Sequence, residues 1–371
     1  MVASLYVHVP FCKVKCPYCD FYSVPSLELR ASYSRAVLTE LSLRLPAFTQ
    51  FPTVYFGGGT PSLMETEFFS SILKAVGQFS EVTVEMNPED VKRDYLKTLR
   101  EMGVNRISLG IQSFSDRTLR ALGKRQDSRE NLRALEEVLS VFHNVSADLI
   151  YGAPGQTLKE LQKDLETLLS FPVKHVSTYA LTLYKGTPFY SLLEVGKLEL
   201  PPEDSLKEMY YLIKDVLESA GFEHYEISNF CREGFEAKHN LSYWKLKDYV
   251  GIGPSAASYV NRRYTRNVSD VRKYIEALER GEILKEETVD YTEEEEKELK
   301  LIMGMRLLRG VNLEELGLKE RFEEAVRKEA LLQLLIEEGY LVYERPRLSL
   351  GVPALFVSNT VIGKVCSVLF G

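Results

Sequence analysis

The sequence has few cysteines, no excess of basic residues and no long apolar run. Five cysteines in 371 residues, an odd number in a long chain, argue against a secreted disulfide framework. The formal charge of −7 argues against a nucleic-acid partner, which would favour a basic surface. No apolar run reaches about 18 residues, and no positively charged leader with an apolar core precedes Leu5, so we expect no membrane insertion. We therefore expect a soluble, cytoplasmic protein kept in a reducing compartment.

Short runs of β-branched and aromatic residues alternate with amphipathic segments through the first half. The predicted strands are residues 5–10, 53–58, 82–87, 106–112, 145–152 and 175–183. The predicted helices between them include residues 26–45, 65–79, 89–102 and 157–170. Such strand–helix units predict parallel strands with crossover helices, in an α/β sheet covered on both faces. Because a full eight-fold barrel typically needs about 250 residues, six units predict an incomplete barrel.

The last third of the chain changes to charged helices. Helices are predicted over residues 203–220, 270–280, 318–338 and 358–369, with a further one beginning after Thr292. Short strands at 340–343 and 347–350 flank Pro346, which predicts a winged-helix-like α+β module; its Glu-rich helices favour packing over DNA binding. We predict three domains: a barrel over 1–200, a barrel-capping segment over 201–285 and this helical module over 286–371.

Three thiols fall within eight residues directly after the first predicted strand, in the run Cys12-Lys13-Val14-Lys15-Cys16-Pro17-Tyr18-Cys19. Such a set indicates metal binding. A cubane iron–sulfur cluster held by only three thiolates keeps one iron open for an outside ligand. A structural zinc site is one alternative; it needs a fourth ligand, for which His8 is a candidate. A thioredoxin-like redox pair at Cys16 and Cys19 is another, although that motif opens a helix and has no third cysteine upstream.

Polar residues and glycines at the ends of the predicted strands are further candidates, because parallel barrels place their chemistry there. Gly57-Gly58-Gly59-Thr60 follows the second strand and lets the backbone approach a ligand, although a tight turn explains it as well. Glu85 ends the third strand, where a solvated terminus is the alternative. Asp148 lies among apolar residues, so its carboxylate must pair or hold a ligand.

The motif Cys-x3-Cys-x2-Cys followed by an aromatic residue resembles the radical S-adenosylmethionine (SAM) superfamily. There three cysteines hold a 4Fe–4S cluster, SAM chelates its open iron, and the fold in this branch is a partial (β/α)6 barrel. The string Tyr6-Val7-His8-Val9-Pro10-Phe11-Cys12 resembles the branch of the oxygen-independent coproporphyrinogen III dehydrogenases and the related haem chaperones. By this resemblance, Cys12, Cys16 and Cys19 bind the cluster.

The same resemblance, which spans essentially the whole chain, implies a set of SAM contacts. These are Tyr6, Tyr18, Gly58, Gly59, Thr60, Glu85, Gln112, Lys124 and Asp148. Lys124 stands where the family usually has arginine, with Arg125 beside it. A lysine cannot make the planar bidentate clamp on a carboxylate, so either Arg125 substitutes or SAM is held less well.

A second segment, His239-Asn240-Leu241-Ser242-Tyr243-Trp244, resembles the signature of the haem chaperones, in which the histidine binds haem iron. Chemistry alone leaves open an aromatic segment packed on the barrel end with His239 hydrogen-bonded. Ala237 and Ala257 depart from the chaperone pattern, since many members have a cysteine and a histidine there. We expect haem near the open mouth of the barrel, with His239 on its iron.

The resemblance leaves a carrier and an enzyme to be separated. The dehydrogenases have a fourth cysteine where this chain has Phe21, and an extension before the first strand, which here starts at residue 5. Together with the His239 motif, these differences favour a chaperone that passes haem to acceptor haemoproteins, with a respiratory or membrane-associated acceptor. The alternative is an oxygen-independent coproporphyrinogen III oxidase, which oxidatively decarboxylates porphyrinogen propionates. A radical SAM enzyme acting on RNA would need a basic surface that the composition lacks.

Overall fold

Twelve strands form one continuous sheet in the computed structural model, which describes residues 1–371. Its centre is six parallel strands in chain order: β1 (Ser4–Val9), β2 (Thr53–Gly58), β3 (Glu81–Met86), β4 (Arg106–Gln112), β5 (Asn144–Tyr151) and β6 (His175–Ala180). The helices between them are α1 (Arg30–Arg44), α2 (Thr66–Val76), α3 (Arg93–Glu101), α4 (Asp116–Ala121), α5 (Ser128–Val141) and α6 (Leu158–Leu169). The predicted partial barrel of six strand–helix units is confirmed.

The two faces of these parallel strands differ in chemistry. Side chains alternate across a strand, so Val54 and Phe56 of β2 lie on the helix side, where both are fully buried. The Phe56 ring contacts the Phe69 ring of α2 edge-on at 4.8 Å. Burying a side chain of this size contributes about 1.5–3 kcal/mol to folding. Tyr55, between Val54 and Phe56, lies on the inner face and hydrogen-bonds Glu85. The inner face is therefore polar, whereas the helix side is apolar.

The segment that follows β6 adds strands to both edges of the sheet. Its elements are α7 (Pro188–Glu194), α8 (Glu203–Ser219), β7 (Glu223–Glu226), β8 (Asn229–Cys231), α9 (Lys238–Trp244), β9 (Tyr249–Ile252), β10 (Ala257–Val260), β11 (Arg263–Asn267), α10 (Val271–Glu279) and β12 (Lys285–Asp290). β8 pairs antiparallel with β6, and β9 pairs parallel with β1. The segment predicted only to cap the barrel thus extends its sheet, and the predicted boundary after residue 285 falls within β12. The other domain boundaries stay a prediction.

The C-terminal part is helical with a small antiparallel sheet. It contains α11 (Glu293–Gly304), β13 (Val311–Asn312), α12 (Lys319–Lys328), α13 (Ala330–Glu337), β14 (Leu341–Glu344), β15 (Arg347–Leu350) and α14 (Ser358–Phe370). The single helix predicted over 318–338 is wrong, because Glu329 is extended (φ −104°, ψ 108°) and separates α12 from α13. The three strands pair in the order β13-β15-β14. The winged-helix-like relationship stays a prediction. None of the helices combines the length and the apolar composition that a membrane span requires.

A buried carboxylate on β7 makes stability depend on pH. Glu226 is 1% exposed and accepts a hydrogen bond from Asn229 Nδ2. Burial raises its pKa from 4.5 to about 7, although hydrogen bonds from Ser228 and Asn229 partly oppose the rise. Between those pH values the folded protein keeps a proton that the unfolded chain releases. The stabilising contribution is therefore complete below pH 4.5 and is lost as pH rises through 7.

We expect Glu226→Gln to remove this pH dependence. From pH 4.5 to 7 the wild-type free energy of unfolding should fall by about 3 kcal/mol relative to the variant, as the pKa shift implies. Urea denaturation at a series of pH values measures the difference. Glu223→Gln, at an exposed position of the same strand, is the control. Parallel pH profiles for the two variants would contradict the prediction.

Candidate functional site

The three cysteines lie on the loop that follows β1, at the carboxyl edge of the parallel strands. All three are free, half-buried thiols. The loop folds back on its own start: Val24 N donates to Pro10 O at 2.7 Å, and Cys12 N donates to Val24 O at 3.1 Å. Within it, Cys19 N donates to Cys16 O at 3.0 Å. These backbone bonds hold the three thiols in one compact loop.

Two side chains from other strand ends touch the cysteine sulfurs. Thr60 Oγ1, after β2, donates to Cys12 Sγ at 3.4 Å. Lys124 Nζ, in the β4–β5 connection, donates to Cys16 Sγ at 3.5 Å. Arg125 is exposed. The structure therefore places Lys124, rather than its arginine neighbour, beside the predicted cluster site.

The loop is also held by α7, which follows β6, the last of the parallel strands. Phe189 N, in α7, donates to Pro17 O at 3.0 Å. The Phe189 ring lies 6.4 Å from the ring of Tyr18. A Cβ at Gly123 would lie 2.7 Å from the Pro17 ring, and its φ of +71° also favours glycine. The cysteine loop thus bridges elements that follow β1, β4 and β6.

An iron–sulfur cluster and a zinc ion place different demands on their ligands. In a zinc site every ligand atom lies about 2.0–2.3 Å from one ion, whereas a cubane gives each cysteine its own iron. No three Cys, His, Asp or Glu side chains converge on a single point in this structure. His8, the candidate fourth zinc ligand, uses Nδ1 with Tyr6 Oη at 3.0 Å and Nε2 with Tyr22 O at 2.9 Å. Both of its nitrogens are hydrogen-bonded within the protein, so neither is available to a metal ion in this arrangement.

The thioredoxin-like alternative also fails on local geometry. Pro17 and Tyr18, between the second and third cysteines, form a turn, and no helix begins until after residue 26. A redox pair of that type would sit at a helix N-terminus, which lowers the pKa of its thiol. That the three thiols are metal ligands stays a prediction.

Gly58 and Gly59 let the end of β2 approach the cysteine loop. Gly58 has φ +106°, and a Cβ there would lie 2.6 Å from the His8 ring. A Cβ at Gly59 would lie 2.6 Å from Phe11 O, and Gly59 N donates to Val9 O at 2.7 Å. This packing against the protein itself explains why side chains are excluded here. Contact with SAM stays a prediction for both residues.

The two predicted carboxylates lie on the inner face of the sheet. Glu85 accepts hydrogen bonds from Tyr55 Oη at 2.7 Å and Gly58 N at 3.2 Å, so the solvated-terminus alternative is wrong. Burial raises its pKa to about 7. Asp148 accepts from Ser108 Oγ at 2.8 Å, and burial raises its pKa as well. Neutral hydrogen-bond donors contact both carboxylates, and the positive charge of Arg106 partly opposes the rise in each pKa. Each carboxylate can still accept a hydrogen bond from a bound amino or hydroxyl group.

Gln112 adopts an unusual backbone conformation beside these carboxylates. Its φ is +67°, and the register of β4 against β5 shifts between Leu109 and Gln112. Non-glycine residues with positive φ are uncommon and concentrate at functional sites. A bulge of this kind re-aims a side chain at the end of a strand, which agrees with the role predicted for Gln112.

His239 lies at the amino ends of the strands, opposite the cysteine loop. Its Nδ1 is hydrogen-bonded to Thr53 Oγ1 at 2.9 Å and its Nε2 to Tyr243 Oη at 2.8 Å, while its ring stacks on Tyr55 at 5.0 Å. Burial, assisted by the charge of Arg106, lowers its pKa to about 3. The expectation that His239 faces the open mouth is wrong, because α9 returns to the opposite edge. Haem ligation by His239 stays a prediction.

A carboxylate from the neighbouring strand anchors the start of α9. Glu81, the first residue of β3, accepts hydrogen bonds from Lys238 N at 3.1 Å and His239 N at 2.9 Å. Helix N-termini favour such negative charge. Sequence reasoning missed Glu81, Thr53 and Arg106. Their shared signal is a polar residue that begins an otherwise apolar buried strand.

Comparison with known proteins identifies the family and the fold. The sequence model of the Radical SAM superfamily matches residues 6–168. A Bacillus subtilis protein named Heme chaperone HemW is 34% identical over 97% of this chain and 98% of its own length. A Lactococcus lactis protein of the same name is 33% identical over 97% and 96%. The solved structure of Escherichia coli coproporphyrinogen III oxidase (HemN) superposes with a TM-score of 0.83, covers 99% of this chain and 89% of that chain, and shares 20% identity, which shows the fold alone. The chain belongs to the HemW family of radical SAM proteins.

Proposed function

We propose that this protein is a haem chaperone that binds haem and passes it to acceptor haemoproteins, with a 4Fe–4S cluster and SAM as cofactors. The observation that carries the proposal is an open set of three free thiols on a chain whose full-length relatives are named heme chaperones. Phe21 supports a carrier over a coproporphyrinogen oxidase. Its ring is 68% exposed at the position where the resemblance places a fourth cysteine in those enzymes.

Cys12, Cys16 and Cys19 would hold the cluster, with Lys124 and Thr60 hydrogen-bonded to two of the sulfurs. When bound, the cluster supplies an iron that SAM can coordinate and an electron for SAM cleavage. The residues proposed to contact SAM are Tyr6, Tyr18, Gly58, Gly59, Thr60, Glu85, Gln112, Lys124 and Asp148. Among them, the two half-buried carboxylates would accept hydrogen bonds, and the backbone after β2 would donate them.

The role of His239 in haem binding depends on a conformational change. In the structure described here both ring nitrogens are hydrogen-bonded and the side chain is fully buried. Ligation of haem iron would exchange these two hydrogen bonds for an iron bond and expose the amino ends of β2 and β3. We therefore propose that His239 binds haem only after α9 has opened.

Parallel assays of haem uptake and porphyrinogen turnover test the proposed function. After anaerobic reconstitution with iron and sulfide, we expect stoichiometric haem uptake and no decarboxylated product from coproporphyrinogen III. Haem transfer is then measured with an acceptor apo-haemoprotein. A catalytic amount of product above a Cys16→Ser control would show that the protein is an oxidase instead. Absence of haem uptake in both cluster-loaded and cluster-free protein would contradict the carrier.

A further inference from the structure

A cleft of about 380 Å³ lies beside the C-terminal end of α9, where that helix meets α11 and the segment before β13. Lys245, Lys300, Arg309 and Arg347 contribute positive charge to its wall, Glu315 is its one acidic residue, and Trp244 supplies an indole. The whole chain carries a formal charge of −7. The cleft is therefore positively charged, although the net charge of the whole chain is negative.

Two of the four cations have no partner within the protein. Lys300 pairs with Glu296 at 3.0 Å, and Arg347 Nη1 donates to Arg309 O at 3.1 Å. The side chains of Lys245 and Arg309 make neither an ion pair nor a hydrogen bond. Burial, the charge of Arg309 and the charge of Lys247 together lower the pKa of Lys245. Uncompensated positive charge of this kind favours an anionic ligand.

The indole gives a second, independent indication of a ligand. Trp244 Nε1 is buried and has no hydrogen-bond partner. An indole N–H can only donate, and a buried donor without an acceptor is uncommon in native proteins. The Arg306 guanidinium lies 5.6 Å from the centre of the Trp244 ring, but a cation cannot accept this hydrogen bond. An oxygen atom of an anionic ligand that reached Nε1 would satisfy the N–H.

The cleft is connected through α9 to His239, which lies at the amino ends of the parallel strands. Trp244 and His239 are five residues apart on the same seven-residue helix, α9. The backbone of α9 is held at its start by Glu81 and reaches the cleft at its end. A ligand in the cleft would therefore contact the element that must move before His239 can reach haem iron.

We propose that this cleft binds a pair of anionic groups, carboxylates or phosphates, and that in the haem chaperone proposed above this pair is the two propionates of haem. Arg309 and Lys245 provide charge-assisted hydrogen bonds, and Trp244 Nε1 donates to one of the oxygens. The propionate assignment rests on the proposed function. The anion site itself does not, because it follows from the charges and the unpartnered indole.

Three probes, one matched pair of variants and one further substitution test the site. The probes are pyrophosphate, haem and haem dimethyl ester, titrated at low ionic strength against the full-length cluster-loaded protein. The cleft variant is Lys245→Gln/Arg309→Gln. The control is Lys74→Gln/Arg129→Gln, which removes an exposed lysine and an exposed arginine without ion pairs on α2 and α5. Trp244→Phe keeps an aromatic ring and removes the N–H.

We expect the cleft variant to bind pyrophosphate and haem at least about tenfold more weakly than the wild type, because two charge-assisted contacts are lost. The control should bind both within about twofold of the wild type, since long-range charge is screened. Haem dimethyl ester should bind the wild type and the cleft variant equally. Trp244→Phe should weaken both anionic probes by a smaller factor.

The outcomes separate the two parts of the proposal. Loss of pyrophosphate binding with unchanged haem binding keeps the anion site and overturns the propionate assignment. Equal affinities of wild type, cleft variant and control for every probe overturn the site. If the wild type takes up no haem, the proposed function fails, while the pyrophosphate titration still decides whether the cleft binds anions.

Discussion

Cys16→Ser should leave the protein folded but unable to assemble its cluster. Each cysteine on the loop after β1 would hold a different iron, and the chain offers no fourth thiol nearby to replace a lost one, since Cys231 and Cys366 are buried elsewhere. Loss of a residue that only hydrogen-bonds a metal ligand typically lowers metal affinity 10–100-fold, so removal of a direct ligand should have a larger effect. Iron and sulfide per protein after anaerobic reconstitution should therefore fall more than about tenfold. Circular dichroism should be unchanged.

The matched control is Cys366→Ala. This cysteine is buried in α14, and burial raises the pKa of its thiol to about 11, so it behaves as an apolar filler. We expect wild-type iron content in this variant. A Cys16→Ser protein that retained the cluster would contradict the proposed ligand set. Wild-type protein that held zinc and refused iron would remove the basis for SAM binding.

His239→Ala should destabilise the protein even in the absence of haem. The substitution leaves Thr53 Oγ1 and Tyr243 Oη without their partner inside the protein and opens a cavity beside Tyr55. Each unpaired buried polar group costs about 1–3 kcal/mol, so we expect a loss of about 3–5 kcal/mol in the free energy of unfolding. Urea denaturation of the haem-free protein measures it.

Asn240→Ala provides the comparison for His239→Ala. Asn240 is the next residue of α9, is half-buried and makes no side-chain hydrogen bond, so its removal should change stability by less than about 1 kcal/mol. Equal stability of the two variants would show that α9 does not pack against the amino ends of β2 and β3 in solution. A changed axial-ligand spectrum of bound haem in His239→Ala, at unchanged haem-free stability, would indicate an imidazole that is already free to bind iron.

The central strands could be predicted because burial on the helix side selects β-branched and aromatic residues. The predicted ends of β1 to β5 differ from the observed ends by one residue or none, while β6 ends at Ala180 and not at 183. The edge strands escaped prediction. β12, for example, reads Lys-Glu-Glu-Thr-Val-Asp and pairs with only one neighbour, so it needs no apolar pattern. The break at Glu329 was equally invisible, since every nearby residue is a good helix former.

Some residues of the candidate site could be placed from the local sequence, whereas the position of others depends on distant parts of the chain. The spacing of three cysteines on one short loop predicts a metal site. The order of the strands along the chain then predicts which strand ends lie near that loop. The position of His239 depends instead on where α9 packs after several intervening elements. Neither the aromatic motif nor its resemblance to the chaperone signature specifies which end of the barrel the helix meets. That point depends on tertiary contacts such as the hydrogen bonds from Lys238 N and His239 N to Glu81 and the hydrogen bond between His239 and Thr53.

The first half of the chain, which carries the cysteine motif, forms an incomplete sheet without the strands from the second half. A truncated chain ending near residue 200 would retain the cysteines and all six parallel strands but would lack β8 and β9. Both flanks of β1 to β6 would then present open rows of amide and carbonyl groups, which invite self-association. We therefore expect a piece ending near residue 200 to self-associate, whereas a piece extending through β9 would cover both flanks of the parallel strands.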